Sequence, residues 1–258
     1  MWDLIVVTPF TNLLLWIYNA VGGNFGLAII LFTILIRLAT HPLMAKQIKS
    51  SQAMQELQQS KKWQEMQKKY KNDREKLAAE QTKLFREAGS SPFGSCLPML
   101  IQIPIIFGLY QCIMRALAAT PMQLLYLTRS VYPVFDVPGL IPLNSRFLWM
   151  DLSQPERLYV FGLGIPTLAI VVALTTYVQS KLTTPTSTNP NDPSASMGRS
   201  MTLMMPLMLG YFSLTFASGL AVYFIASNLV GILQYALLGK VNWRNILPGS
   251  KREASKTK

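Results

Sequence analysis

The chain has 258 residues, half of them hydrophobic and only 14% charged, against roughly 25% charged in soluble domains. With a mean hydropathy of +0.28, that balance excludes an ordinary soluble enzyme and identifies an integral membrane protein. The net charge of +12 would suggest nucleic acid in a soluble chain, but eleven of the 24 Lys and Arg lie at 46–86 and six at 240–258, the clustering that marks cytosolic segments of membrane proteins.

Residues 1–23 are apolar but interrupted by Asp3, Thr8, Pro9, Thr11 and Asn12, and end at Gly22-Gly23. They read as an external interfacial amphipathic helix with Trp2, Trp16 and Tyr18 at headgroup depth. No Lys or Arg and no small-residue cleavage site mark a signal peptide here. The positive charge follows the first span, so the N-terminus is expected outside.

Residues 24–45 hold the first transmembrane span. Residues 25–38 are almost wholly apolar, and Arg37 stands where another Leu or Ile is expected. A charge near mid-helix costs about 2.5–3.5 kcal/mol by insertion scales. Two reasons for it stand side by side. The guanidinium can snorkel to the headgroups, or it can line a wet cavity inside the membrane. Thr33, four residues earlier, adds a second polar group on the same face.

Residues 46–90 read as a cytosolic basic helical hairpin. Its thin apolar stripe runs through Met54, Leu57, Met66, Tyr70, Leu77, Leu84 and Phe85. The turn is placed at 71–73, with Asn72 capping the second helix and Glu75 completing a capping box. Such a hairpin can dock an acidic or RNA-bearing partner, or be a solvated arm that sets topology and touches anionic lipid.

The second span, 93–117, contains Pro98, Pro104, Gln102 and Gln111. Gln102 serves either a helix–helix hydrogen bond or a polar cavity. An external loop segment, 118–157, precedes the third span at 158–180 and a Pro/Ser/Thr/Asn-rich cytosolic linker at 181–199. The fourth span, 200–216, is short for a 30 Å core and favours a thinned bilayer. Met197, Met201, Met204, Met205 and Met208 share one of its faces. That face is either an ordinary lipid-facing or packed stripe or an adaptable client surface. The fifth span, 218–238, holds Tyr223, Ser227, Asn228 and Gln234, of which Asn228 is the costliest to leave unpaired. A basic cytosolic tail, 239–258, ends the chain.

No catalytic constellation and no nucleotide or metal-ligand spacing occurs, and His41 is the only histidine. The chain is therefore expected to be neither an enzyme nor a holder of cofactor or metal. Cys96 and Cys112, 16 residues apart on one predicted helix, would stand about 24 Å apart and cannot pair.

Several stretches in order carry a resemblance: ILIRLATHPLMAKQIKSSQAMQELQ at 34–58, MLIQIPIIFGLY at 99–110, FLWMDLS at 147–153, MPLMLGYF at 205–212 and SGLAVYFIASNLVGILQ at 218–234. Together they resemble the YidC/Oxa/Alb family of membrane protein insertases. The resemblance implies an all-α polytopic protein with five transmembrane helices, N-out and C-in, and a cytosolic hairpin after the first. It also implies a hydrophilic intramembrane groove, open to cytosol and lipid and closed to the outside. The groove arginine falls on Arg37, and polar groove positions fall on Thr33, Gln102, Tyr223, Ser227 and Asn228. Met201, Met204, Met205 and Met208 are the candidate apolar client contacts. Nascent membrane proteins are the implied clients. Ribosome, signal-recognition components and Sec translocon are candidate partners for the hairpin and tail. A monomer in a bacterial plasma membrane is expected. The sequence lacks the lipoprotein signal cysteine of many Gram-positive members and the large periplasmic domain of Gram-negative ones, so no N-terminal lipid anchor is expected. The rival reading is a small-solute transporter or channel lined by Arg37, Gln102 and Asn228. No internal repeat supports that reading, and it gives the hairpin no task. A third option is an assembly factor that acts through the hairpin alone.

Overall fold

The structure is a computed structural model that describes residues 1–70, 73–87, 97–117, 125, 127, 131–132, 143–160, 163–183 and 193–239. Expectations for Asn72, Cys96, most of the 118–142 loop, the 184–192 linker and the 240–258 tail lie outside these residues.

The described chain is mostly helical. A π-helical turn, Asp3–Val7, leads into α1, Thr8–Ala20. Gly22 and Gly23, at φ 71° and 80°, supply the left-handed turn that follows. Helix α1 packs against α2, Phe25–Gln59, and α5, Leu97–Ala116. The expected interfacial residues divide. Trp2 and Trp16 are exposed, whereas Tyr18 is buried against Phe25, because the α1 stripe of Val7, Leu14, Ile17 and Tyr18 faces the core.

Helix α2 runs across the boundary expected at 45/46. Its 35 residues run unbroken through Pro42 and carry both the first apolar span and the first arm of the hairpin. Proline costs one backbone bond, that to residue i−4, and the helical residues on either side carry the element across it. Asn24 starts α2, its side chain accepting from Leu27 N at 3.0 Å.

The hairpin continues in α3, Lys61–Lys69, and returns in α4, Arg74–Glu87, which packs against α3 and α2. Ser60 caps α3, accepting from Trp63 N. Asp73 caps α4, its Oδ1 accepting from Lys76 N at 3.1 Å. Three residues after Asp73 stands Lys76, so this cap forms no capping box of its own. The backbone N–H of Lys76, then its ammonium, hold the Asp73 carboxyl below the usual carboxylate range. Trp63, missing from the predicted stripe, is the most buried of the described hairpin residues and lies 5.3 Å from the Phe85 ring.

The predicted third span is corrected at its start. Strands β3, Leu158–Val160, and β4, Leu163–Ile165, pair antiparallel there. Helix α6 begins only at Thr167 and runs to Thr183. The β-branched and aromatic run at 159–161, followed by Gly162, Gly164 and Pro166, disfavours helix until Pro166 seeds the first turn. An earlier antiparallel pair, β1, Arg146–Phe147, and β2, Met150–Asp151, turns at Leu148-Trp149. At Asp151 burial pushes the carboxyl up, but bonds from the Ser153 N–H and hydroxyl outweigh it and hold the group below its ordinary value.

Helix α7, Pro193–Thr215, starts seven residues before the predicted fourth span. Among the described residues, Thr202–Thr215 forms a shorter apolar stretch of this helix. Helix α8, Ser218–Leu237, is the central element, with residues such as Leu220, Tyr223, Ser227 and Gln234 buried. It packs against α2 and α6, and α6 packs against α7. Among the described residues, Phe25–Ser50 and Ser218–Leu237 are long and apolar enough to cross a membrane.

Candidate functional site: a polar cleft beside Arg37

The core divides along its length. Phe25, Ala28, Ile29 and Phe32 of α2 pack with Ile113 of α5 and Leu220 of α8 in a dry cluster near the end where α2, α6 and α8 begin. One turn further on, the same helix faces turn polar. Thr33, Arg37 and Thr40 recur at i, i+4 and i+7, the spacing that keeps them on one face of α2. Tyr223 and Ser227 do the same on α8.

Thr33, Ile36, Arg37, Thr40 and Met44 of α2, Gln102 and Ile105 of α5, and Tyr223 of α8 line a small cleft of about 10 Å³, room for about one water. Arg37 is half-buried. Its Nε donates to Ser227 Oγ at 3.0 Å, and Nη2 donates to the same oxygen. Gln234 Nε2 donates to the Arg37 carbonyl at 2.9 Å, tying α8 to α2 beside the charge. Gln102 Nε2 donates to the Tyr223 hydroxyl, joining α5 to α8 across the cleft. The Thr33 hydroxyl donates back to Ile29 O at 2.7 Å and is itself fully buried. A Cβ at Gly231 would stand 2.4 Å from Gln179 Nε2 and 3.8 Å from Arg37 Nη1, so the bare backbone leaves room for the guanidinium and its neighbour. Among the described residues, the ion pairs join Lys76 to Asp73 and Arg115 to Asp3, so no carboxylate pairs with Arg37.

The structure thus brings Arg37, Thr33, Gln102, Tyr223 and Ser227 together. Asn228 is placed elsewhere: its Nδ2 donates to Thr176 Oγ1 at 2.9 Å and Thr175 Oγ1 at 3.1 Å, which fastens α8 to α6. On the methionine face, Met204 and Met208 are exposed and Met205 is half-buried, away from the cleft lining. The Met201 side chain lies outside the described residues. Sequence reasoning missed Thr40 and Met44, although their spacing from Arg37 on α2 would have found them, and Gln234 as the residue that holds the Arg37 backbone.

An apolar helical bundle with an arginine that pairs with no carboxylate among the described residues marks a membrane protein with a charged cleft between its helices. The comparisons with known proteins agree. Residues 16–244 match the family described as 60Kd inner membrane protein. The membrane protein insertase MisCA of Bacillus subtilis strain 168 is 35% identical over 241 residues, covering 92% of this chain and 78% of that protein. The membrane protein insertase YidC of Oceanobacillus iheyensis is 35% identical over 245 residues, covering 93% and 84%. A crystal structure of an active YidC insertase with its first transmembrane domain resolved superposes with a TM-score of 0.56 at 25% identity, over 91% of this chain and 46% of that one. The chain spans under half of that larger crystallised protein. It belongs to the 60Kd inner membrane protein family, in the company of YidC-type insertases of the bacterial plasma membrane.

Proposed function

We propose that this chain inserts client transmembrane segments into a bacterial plasma membrane through the cleft beside Arg37, without enzymatic chemistry. In this reading the five spans lie in α2, α5, α6, α7 and α8. The N-terminus and the β-hairpins are outside, and the α3–α4 hairpin and the tail are cytosolic. The protein works as a monomer. Its hairpin and tail meet anionic lipid and the ribosome, signal-recognition or Sec components that deliver clients.

A client's external segment must cross hydrocarbon, where each unsatisfied polar group costs several kcal/mol. A polar cleft partway across shortens that path. Arg37 offers a fixed charge to acidic client residues, and Gln102, Tyr223, Ser227 and Thr33 offer hydrogen-bonding groups. Low surrounding dielectric strengthens the attraction relative to water. The client's apolar helix then leaves past the exposed faces of α7, where Met204, Met208 and Leu207 stand, into lipid. Burial of that helix supplies the driving force. The short apolar part of α7 favours a thin bilayer locally.

The observation that carries this reading is Arg37 itself: a half-buried guanidinium in a membrane-length helix, bonded among the described residues to the Ser227 hydroxyl alone. Its test is photocrosslinking. A photoreactive residue replaces Gln102, and ribosome-bound nascent chains of a single-span protein are offered. Adducts that appear only at intermediate chain lengths are the expected result. A folded, correctly oriented protein that gives no adduct overturns the client groove and returns the cleft to a solute path.

A further inference from the structure

One short segment holds the starts of several helices together. Its Asn144 N–H donates to the Tyr18 hydroxyl of α1 at 3.0 Å. Phe147 lies flat over Gly26 at the start of α2, so close that a Cβ there would sit 2.2 Å from the ring. Helix α8 has no side-chain cap of its own. Its first amides instead reach this segment, Ser218 N donating to Gln154 O at 2.9 Å and Gly219 N to Leu152 O at 3.1 Å. Glu156 does the same for α6. Its Oε2 accepts from Leu168 N at 3.1 Å, and its Oε1 accepts from the Thr167 hydroxyl at 2.8 Å and the Trp149 indole at 3.2 Å.

These are the amides a helix start leaves without internal partners. A buried carboxylate suits the positive end of the α6 dipole. Below the segment lies the dry layer of Ile29, Ile113 and Leu220, where a Cβ on Gly219 would press on Ile113 and Ile29 at 3.2 Å. The polar cleft begins with Thr33, about 12 Å along α2 from Phe25. Nothing in helix packing alone requires α2, α6 and α8 to be tied at one point. The segment supplies that tie.

We infer that residues 144–156 form a latch that shuts the outer end of the cleft, with Phe147 its contact to α2 and Glu156 the positioning residue that sets α6 and, through Trp149, the first hairpin. The inference rests on the proposed groove and its orientation. It assigns the permeability barrier to a surface segment rather than to the bundle core by itself. Releasing the latch lets the starts of α2 and α8 separate and connects the cleft to the outside.

The test uses the full-length chain in bacterial membranes, with Cys96 and Cys112 replaced by alanine and a reporter thiol introduced as Gln102→Cys. A charged, membrane-impermeant maleimide is applied to right-side-out spheroplasts or to inverted vesicles. The unlatched variants are Glu156→Gln and Phe147→Ala, with Phe147→Leu as the conservative control. The parent is expected to label only from the cytosolic face. In Glu156→Gln and Phe147→Ala, labelling from outside should rise by about tenfold or more, an equilibrium change of ~1.4 kcal/mol, while Phe147→Leu stays near the parent. A second reporter, Leu207→Cys on the exposed α7 face, should stay unlabelled in every background, which separates an opened latch from a melted bundle. Parent-like sidedness in both variants overturns the latch. A parent that resists labelling from the cytosolic face overturns the groove itself, a distinct result.

Discussion

Arg37 concentrates the argument at the level of single residues. Both guanidinium nitrogens that donate reach one hydroxyl, Ser227 Oγ, so the charge is positioned by a neutral partner and left uncompensated. Hydrogen bonds to a charged group contribute about 1.5–3 kcal/mol. Arg37→Ala should therefore lower insertion of clients with acidic external tails by about tenfold or more, and leave neutral-tailed clients nearly unaffected. Protease protection of the translocated tail measures both. Equal loss for the two classes overturns attraction by charge. Arg37→Lys keeps the charge without the planar fork, and partial activity is expected. Asn228 belongs to a different category. Its amide joins α8 to α6 through Thr175 and Thr176, and interhelical polar contacts in membranes contribute about 0.6 kcal/mol on average and up to ~1.7. Asn228→Leu should lower stability in detergent by about that amount, read by thermal unfolding, and leave insertion intact. From the sequence these two residues looked alike, as costly polar groups in apolar helices. Only the packing separates the one that faces the cleft from the one that faces a neighbouring helix.

Elements show where the sequence was legible and where it was not. The apolar run before Arg37 and the polar spacing of the last span could be read because helical period and composition agree there. The start of the third span could not, since residues 158–165 are apolar enough for a span yet built from β-formers and glycines. Hydropathy measures transfer and is blind to that distinction. The hairpin was legible as helices but not in its details. The sequence places the turn at 71–73 and offers Asn72 as the cap, whereas Asp73 accepts from Lys76 N, and either residue has suitable chemistry at a helix start. The choice has a measurable consequence. The Asp73 carboxyl is held below its ordinary range in the folded hairpin. A depressed carboxyl contributes stability that is present above its unfolded value, about 3.9, and is lost as pH falls through the folded value. Hydrogen exchange in the first turn of α4 should therefore stay slow down to about pH 4 and quicken below it. Asp73→Ala should exchange faster at neutral pH and lose the acid dependence. An unchanged profile would shift the cap to another residue.

Taken whole, the molecule joins a bundle to a basic helical arm through one continuous helix. Because α2 runs unbroken from Phe25 to Gln59, the arm is an extension of the span that carries Arg37, and any load on the arm is felt by that span. The arm also has its own small core. Trp63 is 1% exposed, Met66 is buried, and Phe85 lies against Trp63. That core lets α3 and α4 hold their shape without help from the bundle, whose own core of α1, α2, α5, α6 and α8 residues with Met150 and Leu152 contains no hairpin side chain among the described residues. Deleting residues 55–86 should for this reason leave the spans folded and inserted. Delivery of ribosome-bound clients should fall several-fold, because the lost surface carries much of the chain's positive charge and with it the electrostatic steering of a polyanionic partner. The salt dependence provides the discriminating measurement. In the parent, raising ionic strength from about 0.05 M to 0.3 M should weaken ribosome binding steeply, as the screening length contracts below ~10 Å. In the deletion, binding should be weak at both salts and the slope nearly flat. If the deletion instead yields a degraded or misoriented product, the arm is part of the bundle's folding unit, and the continuity of α2 couples structure rather than delivery.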